Sequence, residues 1–244
     1  VNELGGAEQL SLEEIEKPTP KADEVLIKVV AAGINYADTM MRAGNYLTKP
    51  ELPFTLGYEA AGTIEELGEN VTNFKVGQRV LATTSSGGYA EFATAKAVLT
   101  MPIPDELDFG ESTALLVQGL TALGLLNETK SGQTILIHAA AGGVGTLLVQ
   151  LAKYKGLKVI GTASSEQKLQ LVANLGADFA VNYSEDDWTD EVLKATEGKG
   201  VDWLIEMVGG SIVAQNLKVL AKHGTMWIYG CLLYTSDAAD EEES

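Results

Sequence analysis

The sequence predicts an α/β protein in two parts, a compact β-barrel-like domain followed by a doubly wound parallel sheet. Three observations carry this. Residues 1–115 hold short β-rich runs between glycine turns, without alternating helices. From residue 134 onward, apolar runs alternate with amphipathic helical stretches. At the head of that second part stands Ala140-Ala141-Gly142-Gly143-Val144-Gly145, a turn almost devoid of side chains between a strand pattern and a helix pattern.

Each element has its own signal. Residues 23–32 put Val25, Ile27 and Val29 on one face and Leu26, Lys28 and Val30 on the other, which is strand alternation. Residues 33–38 lead into a short helix ending near Arg42. Residues 57–66 and 76–82 read as strands, with turns at Gly68-Glu69-Asn70 and Val76-Gly77-Gln78, and Gly87-Gly88-Tyr89-Ala90-Glu91 opens another. One connecting helix is expected over 111–126, lined by Leu115, Leu116, Gly119 and Leu120. In the second part, strands are expected near 134–138, 158–162, 179–182, 202–206 and 225–229, and helices over 144–154, 165–175, 188–196 and 212–221. Gly156, Gly176 and Gly224 stand where helix C-caps belong. A full dinucleotide domain has six strands. Five are readable here, so a C-terminally truncated sheet is expected.

The side-chain-poor turn has a chemical meaning in that setting. A strand, a glycine turn and a helix in succession form the phosphate-binding fingerprint of dinucleotide domains. Gly142 lets backbone approach a pyrophosphate and Gly145 lets the helix pack on the strand. The helix N-terminus offers unpaired N–H groups and a partial positive charge to the anion. The backbone of Ala141, Gly142, Gly143, Val144 and Gly145 is therefore the candidate pyrophosphate cradle. Ala140 occupies the place of the first glycine of the usual pattern.

Composition narrows the function. The formal net charge of −17 makes nucleic acid an unsuitable partner for the surface as a whole. No long uncharged apolar run and no signal-peptide pattern is present, so a cytoplasmic protein without membrane contact is expected. Cys231 is the single cysteine, which excludes an intrachain disulfide and a cysteine zinc site. Residues 231–241 resemble the conceptual translation of a transposase adapter used in sequencing libraries. The expected organisation is thus 1–115 as one domain, 116–230 as a cofactor domain including the connecting helix, and 231–244 as an artefactual tail.

The cofactor can be narrowed further. NAD-binding chains carry an acid about 20 residues beyond the glycines to hold the ribose 2′-OH. Here that place is Ala163, followed by Ser164, Ser165 and Lys168, which can bond a 2′-phosphate. Lys168 is alternatively a solvated helix lysine, and Glu166 alternatively serves the helix dipole. The expected cofactor is NADPH.

The motif Gly132-Gln133, Leu136, Ala140-Ala141-Gly142-Gly143, Gly145, Gln150 and Lys153 resembles the medium-chain dehydrogenase/reductase superfamily, and within it the quinone oxidoreductase (zeta-crystallin-like) branch. Gly33-Ile34-Asn35, Asp38, Gly57 with Glu59, Gly62, Gly77 with Arg79-Val80, Gly88-Tyr89-Ala90-Glu91 and Gly119 with Thr121 extend the resemblance over residues 1–230. It implies a GroES-like β-barrel substrate domain, a Rossmann domain and a homodimer when full length. Zinc-dependent members carry a cysteine where this chain has Asn35 and a histidine where it has Tyr58, so no metal is expected.

Without a Lewis acid, the acceptor must itself be electrophilic, a quinone or an enone. The resemblance implies Asn35 beside the nicotinamide and the reacting carbonyl, Tyr46 as a donor near the cleft, and Thr121 against the nicotinamide end. It implies Tyr183 near the adenosine ribose or phosphate and Gly209 beside the cofactor. Asp38 is a candidate catalytic or loop-ordering residue, and Tyr46 could equally serve loop packing. Met40 stands where several relatives place a cleft tyrosine, which leaves water as the proton source. Three activities fit: an NADPH-dependent quinone reductase, an NADPH-dependent reductase of enone or alkenal double bonds, or a non-catalytic NADPH-binding protein. An inactive fragment is a further alternative.

Overall fold

The computed structural model describes residues 1–47 and 49–230. The tail assignment and Cys231 lie outside the described residues. The chain forms two compact units, Val1–Val117 and a second beginning at Gln118.

In the first unit, strands β1 (Glu24–Ala32), β2 (Glu59–Leu67), β3 (Arg79–Thr84) and β4 (Phe92–Pro102) close into an antiparallel barrel. The expected alternation in β1 holds only from Ile27 onward, because Glu24 to Ile27, Leu26 included, are all buried. Val25 and Ile27 are fully buried in a core with Ile64, Val80, Ala82 and Ala95, while Lys28 and Val30 face solvent. Where β1 and β2 shift register near Val29, a Cβ on Gly62 would lie 2.0 Å from the Lys28 carbonyl oxygen. Only glycine lets the strands approach so closely. Helix α1 (Tyr36–Ala43) ends at Gly44, whose φ of 75° suits glycine at that stop.

The expected helix over 111–126 is two helices, α2 (Phe109–Thr113) and α3 (Val117–Leu125). Asp108 and Glu111 cap α2 reciprocally and start it earlier. The break has two causes. Leu116 is drawn into a core with Ala61, Leu81 and Ile103. The Val117 N–H donates at 3.1 Å to the Glu59 carboxylate rather than continuing the helical ladder.

The second unit is a five-stranded parallel sheet of order β7-β6-β5-β8-β9. Its strands are β5 (Thr134–Ile137), β6 (Lys158–Ala163), β7 (Phe179–Asn182), β8 (Val201–Glu206) and β9 (Leu220–Ile228). Helices α4 (Gly143–Tyr154), α5 (Glu166–Asn174), α6 (Trp188–Ala195) and α7 (Ile212–Val219) connect them. Central strand β5 is buried on both faces, as parallel sheets require. Ile135 and Ile137 pack with Leu148 and Val172, and Leu136 packs with Trp188, Leu204 and Ile212 on the other side.

Gly156 and Gly176 follow α4 and α5 with φ of 80° and 102°, as helix stops. Gly224 does not. It lies inside β9, and the left-handed residue there is His223 with φ 70°. Val201 pairs with Leu220 but Trp203 pairs with Thr225, so extra residues of β9 bulge at 221–224. This bulge extends the strand upstream of the expected start at Thr225.

The Gly62 contact gives a direct test. Gly62→Ala should lower unfolding free energy by at least about 2 kcal/mol, read from urea denaturation, because backbone rather than a flexible side chain would have to yield.

Candidate active site

The second unit places β6 and β8 on opposite sides of β5. The sheet's connections diverge there, and a crevice at the carboxyl ends of β5 and β8 is where such folds bind ligands. Beyond β5 the chain turns sharply, with Ala139 at φ 48°, a strained position for a residue with a Cβ. Gly142 caps α4 in extended conformation with no side-chain hydrogen bond to the helix end. Gly142 and Gly143 are exposed. The first-turn N–H groups thus face outward at the positive end of the helix.

A Cβ on Gly145 would lie 2.4 Å from the Ala139 carbonyl oxygen, so glycine alone lets α4 start against the end of β5. Ala140 is fully buried, and the space its Cβ takes is left free by Gly161 on β6, where a Cβ would lie 3.0 Å away. The alanine in the fingerprint is thus matched by a glycine on the neighbouring strand. This donor set and this cradle fit a pyrophosphate.

At the end of β6, Ala163 is buried, while Ser164, Ser165 and Lys168 are exposed at the start of α5. Ser165 caps α5 without a side-chain hydrogen bond. Tyr183, just past β7, donates its N–H to the Ala163 carbonyl at 3.2 Å. Thr121 is half-buried in α3.

Under this edge runs a buried polar chain. The His138 ring lies with Nδ1 2.8 Å from Thr162 Oγ1 and Nε2 2.8 Å from Asn216 Oδ1. Asn216 Nδ2 donates to Glu206 Oε2. Glu206 Oε1 accepts the N–H groups of Val208 and Gly209, the latter at 2.8 Å. Because Asn216 gives its amide hydrogen to Glu206, its oxygen must accept from His138. The proton therefore sits on Nε2, and Nδ1 accepts from Thr162. Burial holds the His138 pKa below the ordinary imidazole value, against the Asn216 bond and the Glu206 carboxylate 3.7 Å away.

The first unit has a second cluster of buried polar groups. Asn35, Asp38 and Glu59 are all buried. The Asn35 side-chain amide donates to Glu59 Oε1 at 2.9 Å, and its backbone N–H donates to Asp38 Oδ2 at 2.8 Å. The Tyr89 hydroxyl donates to the same Asp38 oxygen at 2.9 Å. Burial raises the Glu59 pKa, opposed by the bonds from Asn35 and Val117, with Asp38 adding to the rise. Tyr89 is also raised, by burial first and then by Asp38, so it stays a phenol donor. Tyr46 is half-buried in the bend after α1, and Met40 is buried in α1.

Asn35 and Asp38 are therefore joined directly, and residues 141–145 run from the turn into the first turn of α4, with Gly142 and Gly143 exposed and Gly145 buried. Glu59 and Tyr89 complete the first cluster and were not singled out as site residues from the sequence. Their signal was an acid inside the apolar run Gly57–Gly62 and a tyrosine in a glycine turn. Glu206 and Asn216 were likewise not singled out. A cleft of about 1320 Å³ opens between residues 10–18, 53–56 and 85–92, with Tyr89 on its wall. Asn35, Asp38 and Tyr46 do not line it.

Comparison with known proteins agrees with this architecture. Residues 21–105 match the alcohol dehydrogenase GroES-like domain, and residues 143–241 match the family described as zinc-binding dehydrogenase. Quinone oxidoreductase of Rattus norvegicus is 41% identical over 236 residues, 95% of this chain and 72% of that protein. The chain belongs to the medium-chain dehydrogenase/reductase superfamily, in its quinone oxidoreductase branch. Within the superfamily, 2-haloacrylate reductase of Burkholderia sp is 35% identical over 98% of this chain and 74% of its own length. The structure of Escherichia coli quinone oxidoreductase complexed with NADPH superposes with a TM-score of 0.87 at 35% identity, covering 92% of this chain and 70% of that one. Among the described residues of this superfamily member, no cluster of three or more His, Cys, Asp or Glu is arranged to hold a metal ion. Among the same residues, no helix is long and apolar enough to cross a membrane.

The neutral buried His138 makes stability depend on pH. Its folded-state pKa is lowered, so its stabilising contribution is complete above about pH 6.5, the unfolded value, and is lost as pH falls toward the folded value. Urea unfolding from pH 7.5 down to 5 should show this loss with a limiting slope of about 1.4 kcal/mol per pH unit. In His138→Gln that component should be absent.

Proposed function

We propose that this protein is an NADPH-dependent oxidoreductase that delivers hydride to quinones without a metal. The observation that carries the reading is the uncapped, glycine-lined start of α4 at the end of the central strand. The backbone of residues 141–145 would hold the pyrophosphate. Ser164, Ser165 and Lys168 would hold the 2′-phosphate, with Tyr183 nearby on the adenosine side and Thr121 and Gly209 toward the nicotinamide. NADPH, when bound, supplies the hydride.

The protein's own groups do the rest. Asn35 orients the acceptor carbonyl. Its bond to Glu59 settles which end of the amide is nitrogen, and its N–H bond to Asp38 anchors the backbone. Tyr46 is the second donor near the acceptor, and water returns the proton that completes the hydroquinone. An amide at 35 and an exposed phenol at 58 are poor zinc ligands, which supports the metal-free reading. In this reading, 1–115 is the substrate domain, 116–230 is the cofactor domain and 231–244 is an artefactual tail. The protein is cytoplasmic, and the full-length form is a homodimer.

A second reading, reduction of an activated carbon–carbon double bond, is favoured by the similarity to 2-haloacrylate reductase. The hydride geometry is common to both.

Two measurements test the proposal. Calorimetric titration should show NADPH binding about 10–100-fold tighter than NADH, since one or two bonds to the 2′-phosphate separate them. Equal affinities would remove the basis for the cofactor assignment. Loss of reduced-nicotinamide absorbance should be fast with 1,4-benzoquinone and slow with an enone, and Asn35→Ala should lower kcat at least about tenfold. Turnover of the enone alone would transfer the assignment to the second reading. Binding without turnover of either acceptor would leave a non-catalytic NADPH-binding protein.

A further inference from the structure

We propose that the buried chain Thr162–His138–Asn216–Glu206 is a positioning device that locks together the loops on either side of the crevice, residues 138–142 after β5 and 207–210 after β8, and so shapes the seat of the nicotinamide half of the cofactor. The inference rests on the NADPH reading above and adds to it the residues that hold the seat.

The four residues come from four places. Thr162 lies in β6, His138 just beyond β5, Asn216 in α7, and Glu206 is the last residue of β8. All four are 0% exposed. Donors and acceptors alternate along the chain without a mismatch, from the Thr162 hydroxyl to His138 Nδ1, His138 Nε2 to Asn216 Oδ1, and Asn216 Nδ2 to Glu206. The chain ends on the backbone, where Glu206 Oε1 takes the N–H groups of Val208 and Gly209. That pair of bonds sets a loop whose next two glycines, Gly209 and Gly210, are left-handed at φ 75° and 64°.

A buried carboxylate in this place needs a reason. Apolar residues of equal volume would pack there without the desolvation cost. They could not aim two adjacent N–H groups or hold a glycine loop in one conformation. The loop's position says what is gained. With the pyrophosphate on the start of α4 and the adenosine side toward β6, the other half of a dinucleotide must extend over the end of β8. Residues 207–210 lie there.

The test separates the two halves of the ligand. NADPH and 2′,5′-ADP, which carries only the adenosine half, are titrated by calorimetry into the full chain and into Glu206→Leu and Asn216→Asp. Amide hydrogen exchange is followed in parallel. The device should show itself as NADPH affinity weakened at least about tenfold with 2′,5′-ADP affinity within about twofold of wild type. Exchange at Val208 and Gly209 should accelerate while Leu136 and Ile160 stay protected. NADPH affinity unchanged in the variants, or an equal loss for both ligands, would overturn it. Should these variants fail to fold, Thr162→Val removes only the hydroxyl at the far end. It should weaken NADPH alone, about threefold, and Thr162→Ser should restore wild-type affinity. If the wild-type chain binds neither ligand, the NADPH reading fails. The device then stands or falls on whether Val208 and Gly209 exchange faster in the variants.

Discussion

A Cβ at position 145 would sit 2.4 Å from one backbone carbonyl oxygen and 2.7 Å from the Cα of Ala140. No rotamer relieves such a clash, because every atom involved belongs to the main chain. The absence of that one carbon lets α4 begin directly on the end of β5. The start of the helix brings its unpaired N–H groups to the sheet's edge, and the sheet order puts that edge at the switch point. The same close approach buries Ala140 against β6, where a Cβ at Gly161 would meet both Val172 at 2.4 Å and Ala140 at 3.0 Å. One steric constraint thus propagates across three elements before any ligand is considered.

Both units bury carboxylates beside residues of the candidate site, and in neither case is the main partner a lysine or arginine. Glu59 accepts from the Asn35 amide and the Val117 backbone. Glu206 accepts from the Asn216 amide and two loop N–H groups. Desolvating a carboxylate costs several kcal/mol. Bonds to a charged acceptor contribute about 1.5–3 kcal/mol each, so two or three of them offset most of that cost. What distinguishes the arrangement from an apolar core is direction. Each carboxylate takes N–H groups that the local helix or strand ladder leaves unpaired, and each thereby fixes a chain segment that has no regular structure of its own.

The parts legible in the sequence are those governed by neighbours in the chain. Alternation in β1 from Ile27 onward, the strand and helix periods from 134 onward, and the glycines of the turn at 142–145 all act over a few residues, and the folded chain follows them. The parts that were not legible depend on distant partners. The helix expected over 111–126 breaks because a carboxylate 58 residues away takes the Val117 N–H. The start of β9 differs because its bulge is set by pairing with β8, which moves the left-handed residue from Gly224 to His223. For the sites, Asn35 and Asp38 could be picked out, but Glu59 could not, since its contact to Asn35 spans 24 residues. His138 and Asn216 are 78 residues apart and meet only once the sheet is assembled.

These long-range contacts also explain why substitutions at the two kinds of position should differ in character. Position 145 acts by exclusion: any side chain moves backbone, and the helix start moves with it. Glu59 and Glu206 act by acceptance. An apolar side chain of similar size at either position keeps the shape of the core but removes both acceptor oxygens. The N–H groups that the carboxylate served must then find other acceptors or water. At Glu206 the freed groups belong to the loop 207–210 at the sheet's edge, where water can reach them. At Glu59 they are the Asn35 amide and the Val117 N–H. The Glu206 change should therefore release a loop while sparing the sheet, whereas the Glu59 change disturbs the helix break that Val117 begins. The difference follows from what each carboxylate holds, although their chemistry is the same.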